Sequence, residues 1–222
     1  MILPGLACQL RVTARAMPLQ AGGDIHDALV TPFGVRLLIG DVMGTGAPAH
    51  ETGRQVVAAW RELAVAEPSL PGIAVRLHTL ISRSADPERF VTALLATFGC
   101  CTSGFEFVCC GHPPPLLLRG GSASFPETFP APPLGLLDLA DGWCAAVTMP
   151  FGAGDRLLLY TDGVSEARDG SGAYFGLNEA AVAASLAGGE SDDDVLDLLV
   201  AALHAHLGTG QADDILLLMA SR

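Results

Sequence analysis

The stretch from Asp24 to Asp41, DIHDALVTPFGVRLLIGD, leaves the chain few choices: two alternating segments hinge on Thr31-Pro32-Phe33-Gly34. Alternation predicts a β-hairpin, and once the loop is chosen the period of two fixes every pair across it. Val30 then faces Val35, Ala28 faces Leu37, His26 faces Ile39, and Asp24 faces Asp41. Directly opposed side chains have Cβ atoms roughly 4.5–5.5 Å apart, where like charges repel. A divalent cation between the carboxylates would offset that repulsion, since hard ions such as Mg2+ and Mn2+ prefer oxygen ligands. Alternatively, the pair is a solvated strand end whose charges discourage edge pairing.

The rest of the pattern supplies the setting. Gln9 to Arg15 alternates weakly and predicts a first strand leading into the hairpin. Ala47 to Ala66 carries Ala, Val and Trp60 at helical spacing and stops before Pro68. A second helix runs from Pro71 to Ser82, with Ile73, Leu77, Leu80 and Ile81 as its apolar stripe. Phe90 to Gly99 and Phe105 to Cys110 read as a second hairpin, and Pro114 to Arg119, Ala145 to Met149 and Arg156 to Tyr160 as further short strands. Gly120 to Leu139 is rich in Pro and Gly and reads as a long surface connection, and Phe175 to Gly189 as a variable loop. Ser191 before three aspartates is a helix start, a hydroxyl N-cap with carboxylates at the positive end of the dipole. Val195, Leu198, Leu199, Ala202 and Leu203 would be that helix's buried stripe, and Ile215 to Met219 a closing strand. Blocks of strands and helices with mainly hairpin connections predict an α+β layered domain with antiparallel sheets. No Pro- or Ser-rich linker interrupts the 222 residues, so residues 1–222 are read as one domain.

Composition narrows the chemistry. The formal net charge is −12, and the 12 basic residues are all Arg. A phosphate-binding face needs clustered Lys and Arg, so nucleic acid is not an expected partner. The opening Met1-Ile2-Leu3-Pro4-Gly5 has no basic n-region, and no uninterrupted apolar span is long enough to cross a membrane. A cytoplasmic protein with no membrane partner is the expectation. Six cysteines include the pairs Cys100-Cys101 and Cys109-Cys110, which suggest a metal tetrad at first sight. Neighbours on a strand point to opposite faces, so neither pair can put both sulfurs on one ion. The turn at Thr102-Ser103-Gly104 would also set Cys109 and Cys110 opposite residues near Thr97 and Ala96, away from Cys100. Small buried hydrophobes are the expected role.

Acids recur where strands end. RLLIGD closes on Asp41, RLLLYTD closes on Asp162, and DDILLLM opens with Asp213-Asp214. In an antiparallel sheet the end of one strand and the start of its neighbour share an edge. Acids from three distant parts of the chain could therefore converge beside Asp24, with Gly44, Gly46 and Gly163 allowing tight turns there. Against this stands the ordinary use of Asp in turns at strand ends.

Seven fragments in order, GGDIHD, GDVMGTG, FVTALLATF, CGHPPPLLLR, PPLGLLD, YTDGVSEARD and ADDILLLM, carry a resemblance that spans Leu3 to Met219. Together they resemble the SpoIIE-like bacterial branch of the metal-dependent PPM phosphatases, relatives of protein phosphatase 2C. The resemblance implies a four-layer α-β-β-α sandwich with two central antiparallel sheets and two Mn2+ or Mg2+ ions at one end of them. It implies Asp24, Asp41, Asp162 and Asp213 as metal ligands, with Asp41 bridging both ions, the Val42 backbone carbonyl as a further ligand, and Asp214 as a support. Such a site activates water, so no protein nucleophile is needed, and Ser165 and the cysteines are read as structural. The sequence departs from the family in places. Ile25-His26 stands where an aromatic pair is common, Thr45 where histidine is frequent, and Leu216 where a hydroxyl residue is usual. His26, on the face of Asp24 and Asp41, is either a proton donor to the leaving serine oxygen, a metal contact, or a replacement for an aromatic side chain. His112 in CGHPPP is read as shaping its loop. The implied activity is hydrolysis of phosphoserine or phosphothreonine on a regulatory protein, an anti-sigma-factor antagonist. The alternatives are a phosphatase-shaped binding module without turnover, against which the retained acids argue, and a two-metal hydrolase of small phosphate esters.

Overall fold

The computed structural model describes residues 10–17, 23–84, 88–99, 104–141, 143–189, 191–208 and 214–222. Asp213, Cys100 and Cys101, singled out above, lie outside the described residues. Among those described, two five-stranded antiparallel sheets pack face to face, and each carries a pair of helices on its outer face.

The hairpin forms as its alternation predicts: β2 (Asp24–Thr31) pairs β3 (Gly34–Val42), and Asp24 stands opposite Asp41. Thr31 and Gly34 also pair, so the connection is only Pro32-Phe33, one pair tighter than expected. The Thr31 hydroxyl closes it by donating to the Gly34 carbonyl at 2.8 Å. β3 continues into β4 (Val91–Phe98), β5 (Gly104–Cys110) and β8 (Val147–Pro150), giving the order β2-β3-β4-β5-β8. β3 is buried along nearly its whole length because both of its faces are covered. Its residues Leu38 and Val42 meet α1 (Gly46–Ala66) and α2 (Leu70–Ser82), while Leu37 and Ile39 meet the other sheet. α1 turns Ala49, Gly53, Val56, Trp60 and Ala64 inward, a spacing of three and four that keeps one face on the core. α2 starts where Ser69 accepts a hydrogen bond from the Gly72 amide at 3.2 Å, with Pro71 in the first turn, where its missing N–H costs nothing.

The second sheet runs β1-β10-β9-β6-β7, from β1 (Arg11–Met17), β6 (Leu116–Arg119), β7 (Ser122–Ser124), β9 (Arg156–Tyr160) and β10 (Ile215–Ser221). β1 therefore does not join the hairpin that follows it. It pairs with β10, Arg11 opposite Ser221. The outer face is covered by α4 (Leu177–Ala187) and α5 (Asp192–Leu207); a single turn, α3 (Asp162–Ser165), follows β9. Ser191 caps α5 as expected, accepting from the Asp194 amide at 3.2 Å.

Several expectations are corrected. The Phe175 to Gly189 region is mostly helix α4, whose alanines give a weak periodic signal. Gly120 to Leu139 holds β7 and buries Ala131, Leu134 and Leu137, so it is in part core. Leu80 and Leu198 point outward at 40% and 41% exposure; Ala74 and Leu196 take the buried places. Cys109 lies opposite Leu94 because the second hairpin pairs Phe98 with Phe105. No helix of the described residues is long and apolar enough to cross a membrane.

Between the sheets, Phe98, Phe105, Phe107 and Phe151 stack with centroid separations of 5.1–5.6 Å at the end where Val35 pairs Phe98. The opposite end of the same gap is where the acids enter.

Candidate metal centre

Parity places the first two carboxylates. Asp41 shares its face with Leu37 and Ile39, which fill the core between the sheets, and Asp24 is its direct partner on β2. From the other sheet, β9 ends at Tyr160, and Thr161 and Asp162 follow it directly. The Thr161 amide donates to the Leu216 carbonyl at 3.1 Å, and its hydroxyl accepts from the Leu216 amide at 3.0 Å. That hydroxyl in turn donates to Asp24 Oδ2 at 3.0 Å, fastening β2 of one sheet to the β9–β10 ladder of the other. Gly163 lets the turn close: a Cβ there would lie 2.1 Å from the Asp214 carbonyl oxygen. Asp162 is thereby seated beside the start of β10.

Electrostatics shows the convergence. The Asp24 carboxyl is pushed up to about 8, first by burial and then by the charges of Asp41, Asp214 and Asp162, with the Thr161 hydrogen bond opposing. A carboxylate raised by three others has a direct remedy in a bound cation. The backbone has room for one. A Cβ on Gly23 would fall 2.3 Å from the Val42 carbonyl oxygen and 2.7 Å from Asp41 Oδ1, so those two oxygens converge on the space that glycine leaves open. Among the described residues no three acidic, histidine or cysteine side chains close into a single cage. Hard ions such as Mg2+ keep several waters and need few protein ligands each, backbone carbonyls among them. The donor set, carboxylates and a carbonyl, fits Mg2+ or Mn2+.

His26 lies on the same face as Asp24 and Asp41, exposed on the outer strand of its sheet. Partial desolvation holds its imidazole below the ordinary value, with Asp27 opposing. It lines a cleft of about 400 Å3 between β2 and α1, together with Asp24, His50, Arg54 and Arg61. Thr45 is the N-cap of α1 and makes no side-chain cap bond. Ser165 donates weakly to the Asp162 carbonyl at 3.4 Å, a structural role. Cys109, Cys110 and Cys144 are buried free thiols.

Sequence reasoning passed over two partners. Thr161 sits inside YTDGVSEARD, where attention falls on the aspartate. Thr92, opposite Asp41, holds His112 Nδ1 at 3.0 Å; nothing in FVTALLATF marks it except that it is the polar residue nearest the acid end of its strand.

Two sheets in a four-layer sandwich, with acids gathered at one end of the gap between them, define a phosphatase-2C-type domain. The chain belongs to the Stage II sporulation protein E (SpoIIE) family, whose sequence model matches residues 31–222. Solved structures agree on the fold. The RsbU and RsbW domains of Rv1364c from Mycobacterium tuberculosis superpose with a TM-score of 0.81 at 25% identity, over 96% of this chain and 60% of that one. The phosphatase domain with a regulatory fragment of Bacillus subtilis SpoIIE gives a TM-score of 0.82 at 17% identity, over 98% of this chain and 64% of that one. This chain thus spans under two thirds of either. The catalytic domain of the serine/threonine phosphatase PstP, solved with 2 manganese ions, gives 0.64 at 20% identity over 96% and 97%.

Proposed function

We propose that this chain is a metal-dependent phosphoprotein phosphatase that hydrolyses phosphoserine or phosphothreonine. The observation that carries the reading is the meeting of Asp24, Asp41, Asp162 and Asp214 at one end of the inter-sheet gap. Asp24, Asp41, Asp162, Asp213 and the Val42 carbonyl are the proposed ligands of two Mn2+ or Mg2+ ions; the manganese-bound PstP domain supports the choice of metal. Bound there, the ions would supply an activated water and neutralise phosphoryl charge during its attack. The protein's own part is placement. Thr161 fixes the orientation of Asp24, Gly23 keeps the Val42 carbonyl and Asp41 open to the ions, and Gly163 seats Asp162. His26, two residues along the same face, is proposed either as donor of the proton to the departing serine oxygen or as a replacement for an aromatic side chain, and its lowered pKa favours the second.

The proposed substrate is an anti-sigma-factor antagonist phosphorylated on serine. The mycobacterial neighbour, which carries an RsbU domain together with an RsbW domain, supports a partner of this kind. The open cleft beside Asp24 suits a folded surface better than a fully enclosed small molecule, and the net charge of −12 favours a neutral or basic docking face. The test is phosphate release from phosphorylated antagonist against release from a short peptide bearing the same phosphoserine, with Mn2+ and then with chelator. Full activity in chelator removes the metal, and equal rates on peptide and antagonist remove surface recognition. Asp162→Asn should abolish turnover in a folded protein. Asp214→Asn should cost much less than Asp213→Asn. His26→Phe separates the two readings of that residue: slower phosphoserine hydrolysis with an aryl phosphate spared supports the proton donor, and unchanged rates on both support the aromatic replacement.

A further inference from the structure

His112 is the one imidazole among the described residues that lies 6% exposed at the metal end of the sandwich. The turn that carries it is fixed on both sides. Gly111, at φ +64°, bridges to Ala93 on β4 and donates its amide to the Ala131 carbonyl at 2.8 Å; the Cys109 thiol donates to the His112 carbonyl at 2.9 Å. The ring then meets both sheets. Nδ1 is 3.0 Å from the Thr92 hydroxyl, and Thr92 stands directly opposite Asp41. Nε2 is sealed from solvent and makes no hydrogen bond of ordinary geometry, while the Tyr160 backbone is near enough to favour the protonated ring. Tyr160 is the last residue of β9, immediately before Thr161 and Asp162. Burial holds the imidazole far below its ordinary value, to about 3, so it stays neutral. A neutral ring has one donor and one acceptor. Nε2–H toward the Tyr160 carbonyl leaves Nδ1 to accept from Thr92.

This is an odd choice for packing alone. The gap between the sheets is filled elsewhere by Leu, Ile and Phe, and a leucine would fill this place without a loosely satisfied nitrogen. What the imidazole adds is a polar contact to each of the two segments that carry the acids. We propose that His112, with Thr92, is a positioning residue: a strut that sets the spacing of the two sheets at the end where Asp41 and Asp162 both act on Asp24, and so sets metal affinity. The inference rests on the reading of those carboxylates as a metal centre. It assigns the ring no contact with the ions and no proton transfer.

Outer partners of metal ligands change metal affinity by about 10–100-fold when removed. The test uses His112→Leu, His112→Gln and Thr92→Val, with the Mn2+ dissociation constant read by calorimetry and Tm read in excess chelator. His112→Leu should weaken Mn2+ binding at least tenfold while leaving the chelated Tm unchanged or higher. His112→Gln, which keeps one donor and one acceptor, should recover part of the loss, and Thr92→Val should weaken binding several-fold. If His112→Leu fails to fold, Thr92→Val decides. Wild-type affinity in whichever folded variant decides overturns the strut. Absence of Mn2+ binding in the wild type, or wild-type affinity in Asp41→Asn, instead overturns the metal centre beneath it.

Discussion

Asp24 is the residue in which the cost of the site is concentrated. Its folded pKa of about 8 lies above its ordinary 3.8. Between those values the folded metal-free protein holds a proton that the unfolded chain releases. Stability in chelator should therefore fall as pH rises from about 4 to about 8. Asp24→Asn should flatten that slope and raise the chelated Tm at pH 8 by roughly 2–4 °C, the equivalent of about 1 kcal/mol for a chain of this size, while abolishing Mn2+ binding. A thermal scan across pH, with and without Mn2+, checks both halves. At Gly23 the expected result is opposite in kind: Gly23→Ala places a methyl against Val42 O and Asp41 Oδ1, so metal affinity and fold should both suffer. The facing of Asp24 and Asp41 was legible because it is local, fixed by one short loop and a period of two. Thr161 and His112 were not, since each acts through a partner in another part of the chain: Asp24 is 137 positions from Thr161, and Thr92 is 20 from His112. No spacing rule reaches that far.

Strand β3 shows the same contrast at the scale of the element. The strand is mostly apolar and buried on both faces, yet it contains Arg36, which is 1% exposed. The guanidinium is spent on the end of α1: Nη1 donates to the Ala64 and Glu67 carbonyls at 2.9 and 2.5 Å, and Nη2 to the Pro68 carbonyl at 2.5 Å. Helix C-terminal carbonyls carry partial negative charge and lack partners within the helix. Arg36 supplies both remedies from the neighbouring layer, with the Phe33 ring stacked 4.5 Å from its carbon. Arg36→Met keeps much of the length but leaves the buried Ala64 carbonyl and the part-buried Glu67 and Pro68 carbonyls without this donor, so it should cost about 2 kcal/mol. Urea unfolding with an unchanged m-value would show it. Helix α4 escaped the sequence reading for a different reason. LNEAAVAASLA has small side chains on every face, and amphipathic contrast fades when the polar and apolar sides differ little in size or hydropathy. Leu80 and Leu198 misled in the opposite sense, apolar residues at stripe positions that the packing leaves in water.

For the whole molecule, layered antiparallel sheets were legible in the residue pattern and the four-layer order in the family resemblance, but the strand partners in the second sheet were not. β1 precedes the hairpin in the chain and yet joins β10, because the inter-sheet core, not chain proximity, decides which strands share a sheet. A metal bound only by the folded state stabilises it by RT ln(1 + [L]/Kd), about 2.7 kcal/mol at a hundred times Kd. Added Mn2+ should therefore raise Tm by roughly 5–11 °C at that saturation, and chelator should reverse the gain. A Tm indifferent to Mn2+ at millimolar concentration would contradict an ion held by the native sandwich.

The pairing of β1 with β10 also sets a clock. The sheet holding Asp24 and Asp41 needs nothing beyond Pro150, and it can collapse on its helices while later residues are still being made. The other sheet lacks the strand that joins β1 to β9 until Ile215–Ser221 arrives, and Asp213 and Asp214 come immediately before it. During synthesis the half-built protein carries its first acids with no counterpart and no closed gap to hold an ion. On the proposed reading, chains that end before Ile215 should neither bind Mn2+ nor release phosphate from a phosphoprotein.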